Sequence, residues 1–407
     1  MRSLLERRDI RLLLAGQTLS MFGDWAMIIV LGIWAKVLTG SNAQAGLVFF
    51  VFALAGLAAP FGGLVVDRVR KRPLMIATHV TLAGVVCLLL LVHARSDMWL
   101  LYTVTALYGL GGDLFGAARS AMLKALVPDE LLGDANGAFQ SVREGLRLVA
   151  PLAGAGIYAA FGGAAVALVD AASFVASAAT LVALRFEEPA QAVKEHHFLR
   201  EISMGITHIA RTRALRELTF GVSGALLVAG FGETLIFALS SALHRSPAFI
   251  GVMGTFQGIG AVAGGLTAAL VLKKVGELRL AGLGLALFGI GDACWLVPRL
   301  EVVLPAMAVA GLGIVWAIVS VATAYQRRSP SAVQGRVAAA ANMLFSVPQT
   351  ISIAAGAVLI TLVDYRVEIV ALAVVFGLSS AYLLTRRGDD TIEVAPATRP
   401  ASRVTAR

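Results

Sequence analysis

Apolar runs long enough to cross a bilayer follow one another along almost the whole chain, separated by short stretches that hold most of its charge. A membrane-spanning helix needs about 20 apolar residues. The pattern predicts twelve spans, at 12–37, 44–66, 73–93, 98–118, 135–160, 163–184, 217–242, 248–272, 279–298, 302–324, 337–362 and 367–385. Hydrophobic residues make up 58% of the 407 positions and charged residues 14%, with a mean hydropathy of +0.82, well outside the range of soluble domains. The predicted fold class is therefore an all-α membrane protein. The basic start, Met1 to Arg8, leads into a run too long for a signal-peptide core, so the first span is expected to be retained.

A second pattern lies over the first. At a constant offset of 202 residues, Gly62 and Gly63 align with Gly264 and Gly265, Lys71 and Arg72 with Lys273 and Lys274, and Gly109 and Gly111 with Gly311 and Gly313. Pro128 and Gly133 fall on Pro330 and Gly335 at the same offset. One spacing shared by several landmarks predicts two pseudo-symmetric six-helix bundles, 1–184 and 217–385. The polar linker at 185–216 has Phe198, Ile202, Ile206 and Ile209 at helical spacing, an amphipathic helix for the membrane surface or for packing on protein. The tail at 386–407 has too little apolar content to fold alone.

The net charge of +9 gains its meaning from its distribution. Among the 34 Lys and Arg residues, Lys36, Arg95, Arg245, Arg299 and Arg366 fall on one side of the spans, Arg143 and Arg147 fall inside span five, and the rest share the side of the N-terminus. The positive-inside rule then predicts cytoplasmic termini in a multi-pass protein of a bacterial inner membrane. Such charge addresses the lipid bilayer and not nucleic acid. The densest basic loop, Gly63-Leu64-Val65-Val66-Asp67-Arg68-Val69-Arg70-Lys71-Arg72, encloses a single acid. Asp67 aligns with Ala269 in the second half, so whatever it does, only one half does it.

Ionisable residues within spans are costly and mark candidate function, at roughly 2.5–3.5 kcal/mol each. Asp24 shares a stripe with Gln17 and Ser20 in span one. Span five presents Asn136, Gln140, Arg143 and Arg147 at three- and four-residue spacing, with Glu144 beside them; Asn342, Ser346 and Gln349 stand at corresponding positions in span eleven. Both faces are expected to line a substrate cavity. The arginines stay charged and need counter-charges from Glu144, Asp24 or a substrate anion, and Asp24 and Arg147 are expected to lie close together. A salt-bridge network that only organises spans one and five accounts for the same pattern. Glu233, with no basic residue near it in sequence, joins Asp24 and Glu144 as a candidate proton carrier. Asp170 and Asp292 are expected to reach interfacial water, and Asp113 to pair with Arg119 or Arg68.

Several segments resemble the major facilitator superfamily, in the drug-exporter branch that includes macrolide-efflux proteins and the enterobactin exporter. They are the Asp67 loop, Ser20-Met21-Phe22-Gly23-Asp24, Phe115 to Arg119 leading into Val127 to Asn136, and Ala150-Pro151-Leu152-Ala153-Gly154. The last is similar to the antiporter motif of family exporters, with alanine where glycine usually precedes the proline. Pro151 and Gly154 then form a kinked, closely packed element of span five. The resemblance implies alternating access and a cytoplasmic gate of Gly63, Asp67, Arg68, Lys71, Arg72, Asp113, Arg119 and Arg336. In it Asp67 clasps the N-terminus of span eleven near Gly335.

The function expected is export of amphipathic or lipophilic small molecules in exchange for protons, by a monomer without cofactors. A siderophore or metabolite exporter, a lysolipid flippase, an importer and a transport-dead sensor remain alternatives. There is no phosphate-binding loop of the G-x-x-x-x-G-K-[ST] type, no catalytic constellation, and no metal-type spacing of Cys or His. Cys87 and Cys294 read as packing residues, His196 and His197 as a solvated pair, and all six histidines as confined to loops or span ends.

Overall fold

Glycines and short polar residues at the turns divide the apolar runs into helices. The computed structural model describes residues 6–58, 62, 65, 66, 68–185, 198–330 and 333–386. Helix α1 (Arg8–Thr39) stops at Gly40, whose φ of 70° is left-handed and whose N–H bonds to the Lys36 carbonyl. The Ser41 side chain then accepts from the Gln44 N–H to start α2 (Asn42–Gly56). There follow α3 (Lys71–Cys87), α4 (Met98–Leu126), α5 (Asp129–Phe161) and α6 (Gly163–Val182), then the linker helix α7 (Phe198–Arg211). The remainder comprises α8 (Arg213–Ala229), α9 (Gly232–Ala242), α10 (Ile250–Val275), α11 (Glu277–Ala293), α12 (Leu300–Arg328), α13 (Gln334–Leu362) and α14 (Tyr365–Thr385). Among the described residues there is no strand.

Among the described residues, eight helices are long and apolar enough to cross a membrane, and α8 with α9 makes a ninth if the pair is one span. Two predicted spans differ from their observed helices. The run at 217–242 is broken, with α8 and α9 meeting at 44°. Gly230 lies against the α13 backbone at Gln349 and Ile353, and its N–H is taken by the Ser352 hydroxyl, which stabilises the break. The run at 44–66 is helical to Gly56 and then turns, and most of its remainder lies outside the described residues.

The buried side chains segregate along the chain. One cluster gathers Met27, Trp34, Leu82, Leu101, Tyr108 and Phe174. Another gathers Ile10, Met75, Phe115, Met122, Phe139 and Leu181. A third contains only residues beyond 208, among them Leu218, Trp295, Met307 and Phe376. A smaller cluster bridges the two parts with Ile33, Phe49, Ala155, Phe237, Ile250 and Ile353. Ile33 and Ala155 lie late in α1 and α5 and Ile250 opens α10, while Phe49 and Phe237 lie midway along α2 and α9. The bridge therefore sits at the end of the bundle away from Arg8 and Arg68. Lipid offers apolar helices no hydrophobic reason to associate, so close backbone approach at small residues holds them together.

Such an approach joins α11 to α12. A methyl group on Gly313 would lie 2.5 Å from the Gly284 carbonyl oxygen and 2.7 Å from the Phe288 nitrogen, both backbone atoms. Gly313→Val is expected to destabilise the protein by about 1–3 kcal/mol. Thermal unfolding in detergent checks this, with Gly265→Ala, where no atom is near, as the unaffected control.

Candidate transport cavity

Asp24 faces inward from α1 and is held by its neighbours. The Tyr108 hydroxyl on α4 donates to Asp24 Oδ1 at 2.8 Å, Ser20 bonds the same carboxylate from one turn earlier, and Arg119 on α4 acts on its charge. Arg119 lies over the Phe139 ring, 5.5 Å from its centroid, with the like charge of Arg143 also acting on it. Arg147 stacks over Trp25 at 5.7 Å, beside Asp24 in sequence, and its charge reaches Glu233 on α9. A row of charges thus runs from Asp24 through the arginines of α4 and α5 to Glu233 in the C-terminal part of the chain. Arg143 and Arg147 are exposed, Asn342 is exposed, and Ser346, Gln349 and Glu233 are half-buried. Exposed arginines in the middle of a spanning helix cannot face hydrocarbon cheaply, which makes this face the candidate lining of an aqueous opening.

Local folding explains two of these positions. The break at Gly230 makes Glu233 a first-turn residue of α9, where its charge meets the positive end of a helix dipole. Pro151 lies inside α5, and Gly154 brings α5 against α1, since a methyl group there would lie 2.7 Å from the Ala26 carbonyl oxygen. On another side of α5, Gly251 of α10 fits against Ala155. The proline segment therefore packs against both halves.

Several expectations require correction. Gln17 does not line the opening: it is buried, with Nε2 donating to Ser177 on α6 at 3.3 Å, because the stripe it shares with Asp24 turns toward α6. Arg119 belongs with Asp24 and not with the gate loop. Arg72 ties its loop to its own half, Nε donating to the Leu181 carbonyl at 2.9 Å and Nη2 to the Val182 carbonyl at 2.7 Å, at the negative end of α6. Lys71 is buried and donates to the Val69 carbonyl. Asp113 Oδ2 is buried without a hydrogen-bond partner near Gly56, bonded to neither expected arginine. Asp170 and Asp292 are buried and do not reach the interface. His79 lies inside α3, buried and stacked on Phe115 with ring centroids 3.7 Å apart, not at a span end. Arg68 is exposed, and Arg336 is half-buried with its carbonyl against Gly205 of α7. Gly63 and Asp67, and the side chains of Gln140 and Glu144, lie outside the described residues.

Sequence reasoning missed Tyr108, Trp25 and Phe139, which have no signature in an apolar run. It also missed an acid near the second-half loop. Glu277, buried at the start of α11, receives Arg327 at 3.3 Å and Arg328 at 2.9 Å, while its backbone carbonyl takes the Ser320 hydroxyl. The offset compares Asp67 with Ala269 and passes over this carboxylate. The linker helix joins the same corner, with His208 Nε2 bonded to the Arg328 carbonyl at 3.1 Å and Ile202 and Ile209 buried. It packs on protein through that face, with Ile206 turned outward.

The profile of the Major Facilitator Superfamily matches residues 13–240 and 222–406. The chain belongs to that superfamily of transporters, and it is not an enzyme. It is 29% identical to the uncharacterized MFS-type transporter YfiS of Bacillus subtilis (strain 168) over 177 residues, which is 43% of this chain and 42% of that one. It is 24% identical to macrolide efflux protein A of Streptococcus pyogenes over 212 residues, 50% of this chain and 52% of that one. The matches thus span about half the length of these curated relatives. Among solved structures, a bacterial homologue of the iron transporter ferroportin in its inward-facing state gives a TM-score of 0.71 at 16% identity, covering 93% of this chain and 98% of that one. The outward-facing state gives 0.62 at the same identity, covering 93% and 99%. A POT family transporter in complex with 5-aminolevulinic acid gives 0.75 at 12% identity, covering 93% and 95%.

The two ends of the gate loop should separate in their effects. Arg72→Ala removes the bonds to the end of α6 and is expected to lower stability by about 1–3 kcal/mol, whereas Arg68→Ala should leave it unchanged. Melting temperatures of the two variants in detergent test this, and equal values would contradict the capping role.

Proposed function

We propose that the chain is a secondary exporter of amphipathic or lipophilic small molecules that works by alternating access and proton antiport. The observation that carries this reading is the placement of Asp24 and Glu233 on opposite halves, with Arg119, Arg143 and Arg147 between them. Acids that must exchange partners when the halves move are suited to coupling a proton to that motion. We read the chain as a monomer with twelve spans in two bundles, 1–184 and 217–385, joined by 185–216 and ending in a cytoplasmic tail at 386–407. The basic loops face the cytoplasm of a bacterial inner membrane. In that orientation the apolar bridge of Ile33, Phe49, Phe237 and Ile353 closes the external end, leaving the charged face open inward. The higher TM-score with the inward-facing ferroportin homologue supports this state. Likeness to macrolide efflux protein A supports the substrate class.

In the outward-open state we assign Asp67 to the clasp near Gly335 and Arg336, with Gly63, Arg68 and Lys71 shaping its loop. Asp113, beside Gly56, belongs to the same end. Glu144 is retained as a third proton-coupling acid, and Gln140, Asn342, Ser346 and Gln349 as cavity residues. The three arginines favour a second reading, in which an anionic siderophore, metabolite or lysolipid is carried. Exposure of Arg143 and Arg147 weighs against a transport-dead sensor, whose charges would be closed off from water.

In proteoliposomes, Asp24→Asn and Glu233→Gln are each expected to reduce dye and macrolide efflux driven by a pH gradient by at least about tenfold, equivalent to roughly 1.4 kcal/mol, while the protein stays folded. Undiminished efflux in both variants would remove these acids as proton carriers.

A further inference from the structure

Asp170 has no place in the cavity just described, yet it is among the least accessible acids of the chain, with an exposure of 0%. Its carboxyl leans on α1 at Gly23, where a methyl group would lie 2.1 Å from Asp170 Oδ1 and 3.1 Å from its Cγ. The glycine before Asp24 is thus the space that admits a second acid from α6. Tyr108, which donates to Asp24, touches Asp170 as well. A phenol has one hydrogen to give. It goes to Asp24, and Asp170 Oδ2 is left buried without a hydrogen-bond partner. Ser173 adds little, because its hydroxyl lies 2.7 Å from the Asp170 backbone carbonyl and 3.3 Å from Oδ1.

The surrounding charges do not balance two carboxylates. Arg119 on α4 acts on Asp24, and the charge that acts on Asp170 is the like charge of Asp24. On α5, Arg147 lies over Trp25 and acts on Glu233, while Arg143 acts on Arg119. On α3, His79 reaches α6 through the Phe174 ring, centroids 5.0 Å apart, and Cys87 packs against the cluster that holds Ala171 and Phe174. Two like charges that act on each other, with Asp170 fully buried, would carry a desolvation and repulsion cost that one arginine and one phenol do not offset. We propose that Asp24 and Asp170 form one site that holds a single proton between them, with Tyr108 as the bridge, so that Asp170 is a proton-coupling residue of the transporter. The proton rests on the Asp170 carboxyl, which Tyr108 touches, and Asp24 stays ionised against Arg119. Transfer through the hydroxyl moves that proton from Asp170 to the phenol oxygen as the phenol proton passes to Asp24, leaving the total unchanged. The proton then leaves to water from Asp24, on the side of the opening. What the proton is used for rests on the antiport reading; where it sits does not.

The test is infrared titration of the purified full-length protein in lipid, following the protonated-carboxyl band and its shift in D2O, without any substrate. A component that titrates in the wild type is expected to vanish in Asp170→Asn, which removes the carboxyl that holds the proton, and to move its midpoint in Asp24→Asn, which removes the like charge beside it. Tyr108→Phe keeps the ring against Phe52 and Phe174 and serves should an asparagine variant fail to fold. It is expected to move the midpoint by about one pH unit or more, the scale of a lost charge-assisted hydrogen bond. A component that survives Asp170→Asn, or a midpoint that Tyr108→Phe leaves in place, overturns the proposal. If the component is lost as expected while wild-type dye efflux ignores a pH gradient, the shared proton stands and the antiport reading falls.

Discussion

A charge in the middle of a membrane must meet an opposite charge, a hydrogen-bond donor or water, and this constraint orders the rest of the molecule. Asp24 meets Tyr108, Ser20 and Arg119 inside one half. Glu233 is served across the interface by Arg147 and from below by the start of α9. The polar face of α5 is consequently stable only while the two halves stand together or water fills the space between them. An apolar bridge at one end and charged residues further along give the interface two unlike parts. The first closes by packing, and the second needs solvent or cargo.

The helices around this interface are held by contacts that lipid does not weaken. Gly154 lets α5 reach the backbone of α1, Gly251 lets α10 reach α5, and Gly313 and Gly284 bring α12 and α11 together. These approaches tolerate no side chain, so each fixes the relation of two helices. The polar ties at the basic end are of another kind. Arg72 on the end of α6, and Arg327 and Arg328 on Glu277, each bind within one half. Such bonds stiffen a half without joining it to the other, as motion of two rigid bodies requires.

Much of this architecture was legible in the chain, because hydropathy at the scale of a span reports directly on burial in lipid. Helices α10, α12, α13 and α14 lie close to their predicted runs. The break at Gly230 was not legible, since it depends on Ser352 of α13 accepting the freed N–H from far along the sequence. Residue spacing puts Arg143 and Arg147 on one side of α5, and both are exposed. It misplaced Gln17, because a three- or four-residue step shares a helix face only approximately, and here the face curves toward Ser177. Asp170 and Tyr108 were hidden for the opposite reason. Each looks isolated in sequence, and only the space at Gly23 brings the Asp170 carboxyl beside α1.

We propose that the polar face between the halves opens to the cytoplasm while the Ile33–Phe237 end is shut. The most direct measurement is labelling by a membrane-impermeant maleimide of Ser346→Cys, in a protein whose Cys87 and Cys294 have been replaced by alanine. Rapid labelling is expected in inside-out vesicles and at least about tenfold slower labelling in right-side-out vesicles, a population difference of roughly 1.4 kcal/mol between the two openings. Equal rates from both sides, or faster labelling from outside, would contradict it.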